Sequence, residues 1–216
     1  MKPFAHIGKA IAHDSAELHV SGAATYIDDI SEIEGTLHVA PGFAKDGAKG
    51  KIISINLDAV KAAEGVVTIL TAADIPGKND CSPVEGDDPI FAKGKIEFNG
   101  QVIFAVVAKT REAARRAARL ATIEIERQKP AVTIGDALTT NSDLLPPYAF
   151  TSKGVATALK KSTHRHKGEV KIGGQEQFYL EGQVAYAFPQ EKGGMIVHSS
   201  TQHPTEIQHC VAAMLK

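Results

Sequence analysis

"VIFAVVAKTREAARRAARLATIEIE" (residues 102–126) is the stretch that decides the fold class. Residues 102–108 form a nearly continuous apolar run, the pattern of a strand buried on both faces. Thr110 is placed to cap a helix, since its hydroxyl can accept from a first-turn amide. The spacing predicts that helix over 111–121. Ala113, Ala117, Leu120 and Ala121 give it a small-residue face that can lie close to a sheet, while Arg111, Arg115, Arg116 and Arg119 take the remaining surface. Residues 122–126 alternate Ile inward with Glu outward, as a half-buried strand does. Because Glu112, Glu124 and Glu126 lie nearby, the four arginines read as a solvated face rather than a phosphate site.

The same strand–helix–strand order occurs just upstream. "KIISINL" (51–57) reads as a strand, "DAVKAAEG" (58–65) as a short helix ended by Gly65, and "VVTILT" (66–71) as another strand. "GTLHVA" (35–40) is a further strand, and Asp74-Ile75-Pro76-Gly77 makes a turn in which Gly tolerates positive φ. From 127 to about 154 the texture becomes rich in Pro, Thr, Ser and Asn, a connection with one helical turn near Asp136 to Leu138. "VATALKK" (155–161) suggests a short helix, and residues 168–200 read as β structure with a turn at Gly193-Gly194. From Pro204 an amphipathic helix begins, with Ile207, Cys210, Val211, Met214 and Leu215 on one face and no Gly or Asn to close it. The fold class is therefore α+β, in two parts whose boundary falls between 127 and 165.

Bulk properties exclude several functions. A formal net charge of −1 gives no electrostatic case for nucleic acid or an anionic membrane. No apolar run approaches the roughly 20 residues of a membrane helix. Cys81 and Cys210 have no metal-ligand spacing; a disulfide between them and two free thiols in a reducing cytoplasm are both open, the latter being the ordinary case. No dinucleotide-binding, phosphate-cradling, nucleophile-elbow or H-E-x-x-H motif is present. His164 and His166 fall in a polar stretch, and His203 and His209 are too widely spaced to share a helix face, so no protein-ligated metal is expected.

Two local groups remain. "GGQEQFYLEGQ" (173–183) carries Gln175, Glu176, Gln177 and Glu181 beside Phe178, Tyr179 and Leu180, and reads either as a polar edge strand or as a functional surface. "SSTQHP" (199–204) leads into the terminal helix. Its side chains serve either as caps, through Ser200, Thr201 or His203, or, with Gln202 beside the helix start, as an oxyanion or cofactor contact.

Taken together, "HDSAELHVSGAATYIDDI", "GTLHVA", "GVVTILTAADIPGKND", "DDPIFA", "GQVIFAVVAKTREAARRAARLA", "GGQEQFYLEGQ" and "SSTQHPTEIQH" occur in one order that resembles the molybdenum-binding portion of the xanthine dehydrogenase/aldehyde oxidase family. The resemblance runs from about residue 7 to 216, and "TAADIPGKND" is more similar to the xanthine dehydrogenases. It implies an α/β hammerhead domain over 1–127, a connecting segment over 128–164, and the start of a molybdopterin-binding domain over 165–216. It also implies a molybdenum–molybdopterin cofactor, a purine substrate hydroxylated with oxygen from water, and a cytoplasmic enzyme. Electrons would pass to iron–sulfur clusters and FAD on a partner subunit, and then to NAD.

Of the centre itself, the resemblance carries over only Gln202, as an amide contacting the cofactor beside an oxo ligand. No catalytic and no metal-ligating residue carries over. Gln177 replaces the usual His of that motif, and "APGFAKDGAKGKI" departs after the first strand. The expectation is a chain that forms the first part of a longer polypeptide, truncated and inactive alone. Its terminal apolar stripe would pack on residues 165–198 or on a partner chain. A complementing fragment and a non-catalytic assembly module that binds the iron–sulfur/flavin subunit are the alternatives.

Overall fold

In the computed structural model, residues 7–84, 86–140, 145–179 and 181–216 are described. After a short helix α1 (Ala16–Ser21), the first half alternates strands and helices as β1 (His38–Gly42), β2 (Gly50–Asn56), α2 (Asp58–Lys61), β3 (Val66–Thr71), β4 (Lys95–Ile96), β5 (Phe104–Ala108), α3 (Arg111–Ala118) and β6 (Thr122–Arg127). The second half holds α4 (Ile134–Thr140), α5 (Val155–Lys161), β7 (Ala185–Pro189), β8 (Met195–Ser199) and α6 (Pro204–Leu215).

The two strand–helix–strand units do not close parallel sheets. Each sends its strands to different sheets, one ordered β1-β5-β3 and the other β4-β2-β6, and every pairing is antiparallel. All five residues of β5 are buried at the centre of its sheet, as the apolar run requires. Thr110 caps α3, accepting from the Ala113 N–H at 3.1 Å. Ala113, Ala114 and Ala117 are buried where α3 lies against β1 and β5. Small side chains permit that approach. Leu120 lies past the last helical turn and is 48% exposed, so it does not extend the packed face.

Phe104 and Val106 from β5, Val60 from α2, Ile96 and Ile103 make the centre of the core, each no more than 2% exposed. Gly42 is needed opposite Phe104: a Cβ there would lie 2.1 Å from the ring, inside any permissible contact. Among the described residues every buried side chain falls between Ala40 and Ala121. The first half thus holds the core.

The β7–β8 hairpin forms within the expected β region, but residues 173–179 make no strand and are exposed. Phe178 sits at φ 55° and is 94% exposed. An alternating pattern needs a sheet edge to pair with, and none reaches this segment. Leu180 lies outside the described residues, as do Asn141–Leu144 of the connection.

The end of α6 is closed by another part of the chain. The Gly77 N–H donates to the Met214 carbonyl and the Lys78 N–H to the Ala213 carbonyl, both at 2.8 Å. These are carbonyls that a helix terminus otherwise leaves without partners. Gly77 is required for closeness rather than for positive φ, since a Cβ there would fall 2.1 Å from the Ala213 oxygen. The apolar stripe is partly covered too. Ile207, Cys210, Val211 and Met214 are half-buried, and Met195 and Val197 of β8 share a groove of about 400 Å³ with Ile207 and Val211. Leu215 remains 58% exposed.

Candidate functional site

The turn from β8 into α6 is built around Ser200. Its hydroxyl donates to the Gly182 carbonyl at 2.7 Å and accepts from the Val184 N–H at 3.0 Å, while its own N–H donates to the Val184 carbonyl at 3.0 Å. The end of "GGQEQFYLEGQ" and the start of "SSTQHP" therefore meet, though Gln175, Glu176 and Gln177 stay in solvent away from that junction.

His203 is the cap of α6. Its Nδ1 accepts from the Glu206 N–H at 3.2 Å, and Pro204 occupies the first turn, where a missing N–H costs nothing. The same Nδ1 lies 3.9 Å from the Glu206 carboxylate. The cap is the shorter of the two contacts. Gln202 stands immediately before His203, exposed, and among the described residues its amide makes no hydrogen bond to the protein. It offers two N–H donors beside a helix N-terminus, where the unpaired amides favour oxyanions.

His203 and His209 line one cavity of about 440 Å³, with Lys78, Asp80, Ser82, Glu206 and Cys210. Continuous helical spacing would set these histidines apart, but His203 is the cap and lies outside the helix, and both border the cavity between α6 and the loop after Gly77. Among the described residues no group of three or more His, Cys, Asp or Glu is arranged to hold a metal.

A second concavity, about 420 Å³, lies where β1 and α3 face β7. Glu32 holds two partners there, His38 Nε2 at 3.4 Å and Arg111 Nη2 at 3.2 Å. Across the cavity Tyr186 accepts from the Ile33 N–H at 3.0 Å, tying the hairpin to the hammerhead.

"TAADIPGKND" turns out to organise a loop. Thr71 and Asp74 form a reciprocal cap, with the Thr71 hydroxyl at 2.7 Å and its N–H at 2.8 Å holding the Asp74 carboxyl below the usual range. The Asn79 side chain clamps the Phe91 backbone through bonds of 2.7 and 2.9 Å. The Ser82 hydroxyl, then its N–H, lowers Asp80 in the same way, and Lys95 lowers Glu97.

Comparison with known proteins accounts for nearly all of the chain. Residues 21–129 match the family model described as "Aldehyde oxidase and xanthine dehydrogenase, a/b hammerhead domain", and residues 142–216 match the "Molybdopterin cofactor-binding domain". Xanthine dehydrogenase of Drosophila subobscura is 33% identical over 210 residues, covering 95% of this chain and 16% of that protein. "Probable aldehyde oxidase 1" of Oryza sativa subsp. japonica is 37% identical over 220 residues, covering 97% of this chain and 16% of its own length. Among solved structures, quinoline 2-oxidoreductase of Pseudomonas putida 86 superposes with a TM-score of 0.73 at 24% identity, over 96% of this chain and 28% of its own, a likeness of fold. The chain thus spans about one sixth of the curated relatives it matches.

Proposed function

The chain belongs to the aldehyde oxidase and xanthine dehydrogenase family, and from that premise we propose that it supplies the hammerhead and part of the molybdopterin-binding domain of a molybdenum hydroxylase that converts hypoxanthine and xanthine to urate. The observation that carries this reading is the placement of Gln202. It is an exposed amide at the N-terminus of a twelve-residue helix, on a turn anchored by Ser200 to Gly182 and Val184.

The residues present fit the cofactor. Gln202 would hold it, because a carboxamide N–H suits an oxygen on the metal and its donors have no protein partner among the described residues. When bound, molybdenum–molybdopterin supplies the oxygen transfer and takes up the electrons. This chain's own part is positional. Ser200 fixes the turn, His203 spends its Nδ1 on the helix rather than on a ligand, and Gly77 and Lys78 hold the far end of α6. Electrons would leave through iron–sulfur clusters and FAD on a partner subunit, and the enzyme would work in the cytoplasm. No helix among the described residues is long and apolar enough to cross a membrane.

Purine rather than aldehyde oxidation is supported by the similarity of "TAADIPGKND" to xanthine dehydrogenases. The aldehyde reading draws on the 37% identity to the rice protein. Enzyme purified from its native cells, assayed with xanthine and with benzaldehyde, separates them: urate formation far exceeding benzaldehyde oxidation is expected, and the reverse order would reject the purine assignment. In that enzyme Gln202→Ala should lower kcat by roughly ten- to a hundredfold, with little change in KM, as loss of an outer-shell partner does. Unchanged kcat would remove Gln202 from the site.

A further inference from the structure

The chain has two cysteines, far apart in sequence, and the fold brings the loop of one to the helix of the other. The bonds from Gly77 and Lys78 to the end of α6 lay the following loop along the helix. Asp80 and Ser82, the immediate neighbours of Cys81, line the same cavity as Cys210, His209 and Glu206. Both thiols are free, Cys81 exposed and Cys210 half-buried. The Cys81 Sγ donates to the Asp88 carbonyl at 3.2 Å, which turns it in towards its own loop.

We propose that Cys81 and Cys210 are a disulfide-forming pair, and that oxidation staples the loop after Gly77 to α6, the helix that follows Gln202. Partial burial, then the Asp88 carboxylate and the Cys210 thiol, push the Cys81 thiol up. Either thiol can react first, and both orders end in the same bond.

The chemistry is thiol–disulfide exchange with a low-molecular-weight disulfide as oxidant. The Cys210 thiolate attacks one sulfur of that disulfide, forming a mixed disulfide and expelling one thiolate, which takes up the proton that Cys210 lost. The Cys81 thiolate then attacks the Cys210 sulfur, the Cys81–Cys210 bond forms, and the second thiolate leaves and is protonated. Two cysteine thiols are oxidised and one small disulfide is reduced to two thiols.

The bond would join the hammerhead loop to the helix carrying the cofactor turn, holding α6 even where its backbone contacts to Gly77 and Lys78 open. It needs neither cofactor nor turnover, so its test stands apart from the proposed enzymatic role.

The test is incubation of the purified protein with oxidised glutathione, followed by intact mass and a non-reducing peptide map. The expected product has lost two hydrogens, shows one peptide joining Cys81 to Cys210, and no longer reacts with iodoacetamide until dithiothreitol is added. In Cys81→Ser, a glutathione adduct should persist on Cys210. Two separate glutathione adducts on the wild-type protein, or chains linked to one another through cysteine, with no peptide joining Cys81 to Cys210, would overturn the proposal. The wild-type measurement decides the matter even if the variant folds poorly.

Discussion

Replacing Gly77 by Ala should loosen the terminal helix from the hammerhead. A Cβ at this position would lie 2.1 Å from the Ala213 oxygen and 2.8 Å from the Met214 oxygen, both backbone atoms that no rotamer change can move. The loop must retreat, and the two bonds from Gly77 and Lys78 to the helix end are lost or stretched. At a net ~0.5–1.5 kcal/mol for each hydrogen bond, the loss is about 1–3 kcal/mol, moderated because water can reach the freed carbonyls. Denaturant unfolding would measure that loss, and hydrogen exchange would locate it, with protection falling at the Gly77 and Lys78 amides. Gly168→Ala is the control: nothing lies within 4 Å of its Cβ position and its φ is not positive, so a change within about 0.5 kcal/mol is expected. If Gly77→Ala matched this control in stability and kept both amides protected, the reasoning about the helix end would be wrong.

His203→Ala removes the acceptor for the Glu206 N–H and should cost about 0.5–2 kcal/mol, measured by denaturant unfolding, with His203→Asn recovering most of it. Asp74, Asp80 and Glu97 are each held below the usual carboxylate range, Asp74 by Thr71, Asp80 by Ser82 and Glu97 by Lys95. A depressed carboxylate contributes stability above its unfolded value and loses it as pH falls through its folded one. Thermal unfolding should therefore be level above about pH 5 and decline from about pH 4 downward. Asp74→Asn should flatten that decline; an unaltered acid profile would show that the Thr71–Asp74 cap contributes nothing.

The hammerhead half was largely legible because its signals are local. An unbroken apolar run can only be a buried strand or helix, and Thr110 followed by alanines at helical spacing settles α3. How the strands are shared between sheets was not legible. The strand–helix–strand order is the same whether the second strand returns to the first sheet or crosses to another, and here β5 and β6 part company.

The cap on α6 was hidden for a different reason. Its donors are backbone amides at Gly77 and Lys78, and a backbone donor leaves no residue signature except the glycine that lets it come close. At the candidate site, Gln202 stands on the turn the sequence indicated, and His203, one of three capping candidates, proved to be the cap. The amide-rich segment before it misled, because alternation suggests a strand only where a neighbouring edge accepts its hydrogen bonds, and residues 173–179 have none.

The central claim is that this chain helps to hold a molybdenum–molybdopterin cofactor, and it is tested most directly by metal analysis of the enzyme purified from its native cells. The account predicts molybdenum stoichiometric with the chain, with a pterin released on denaturation. Protein that is fully folded, active on its substrate and free of molybdenum would contradict it.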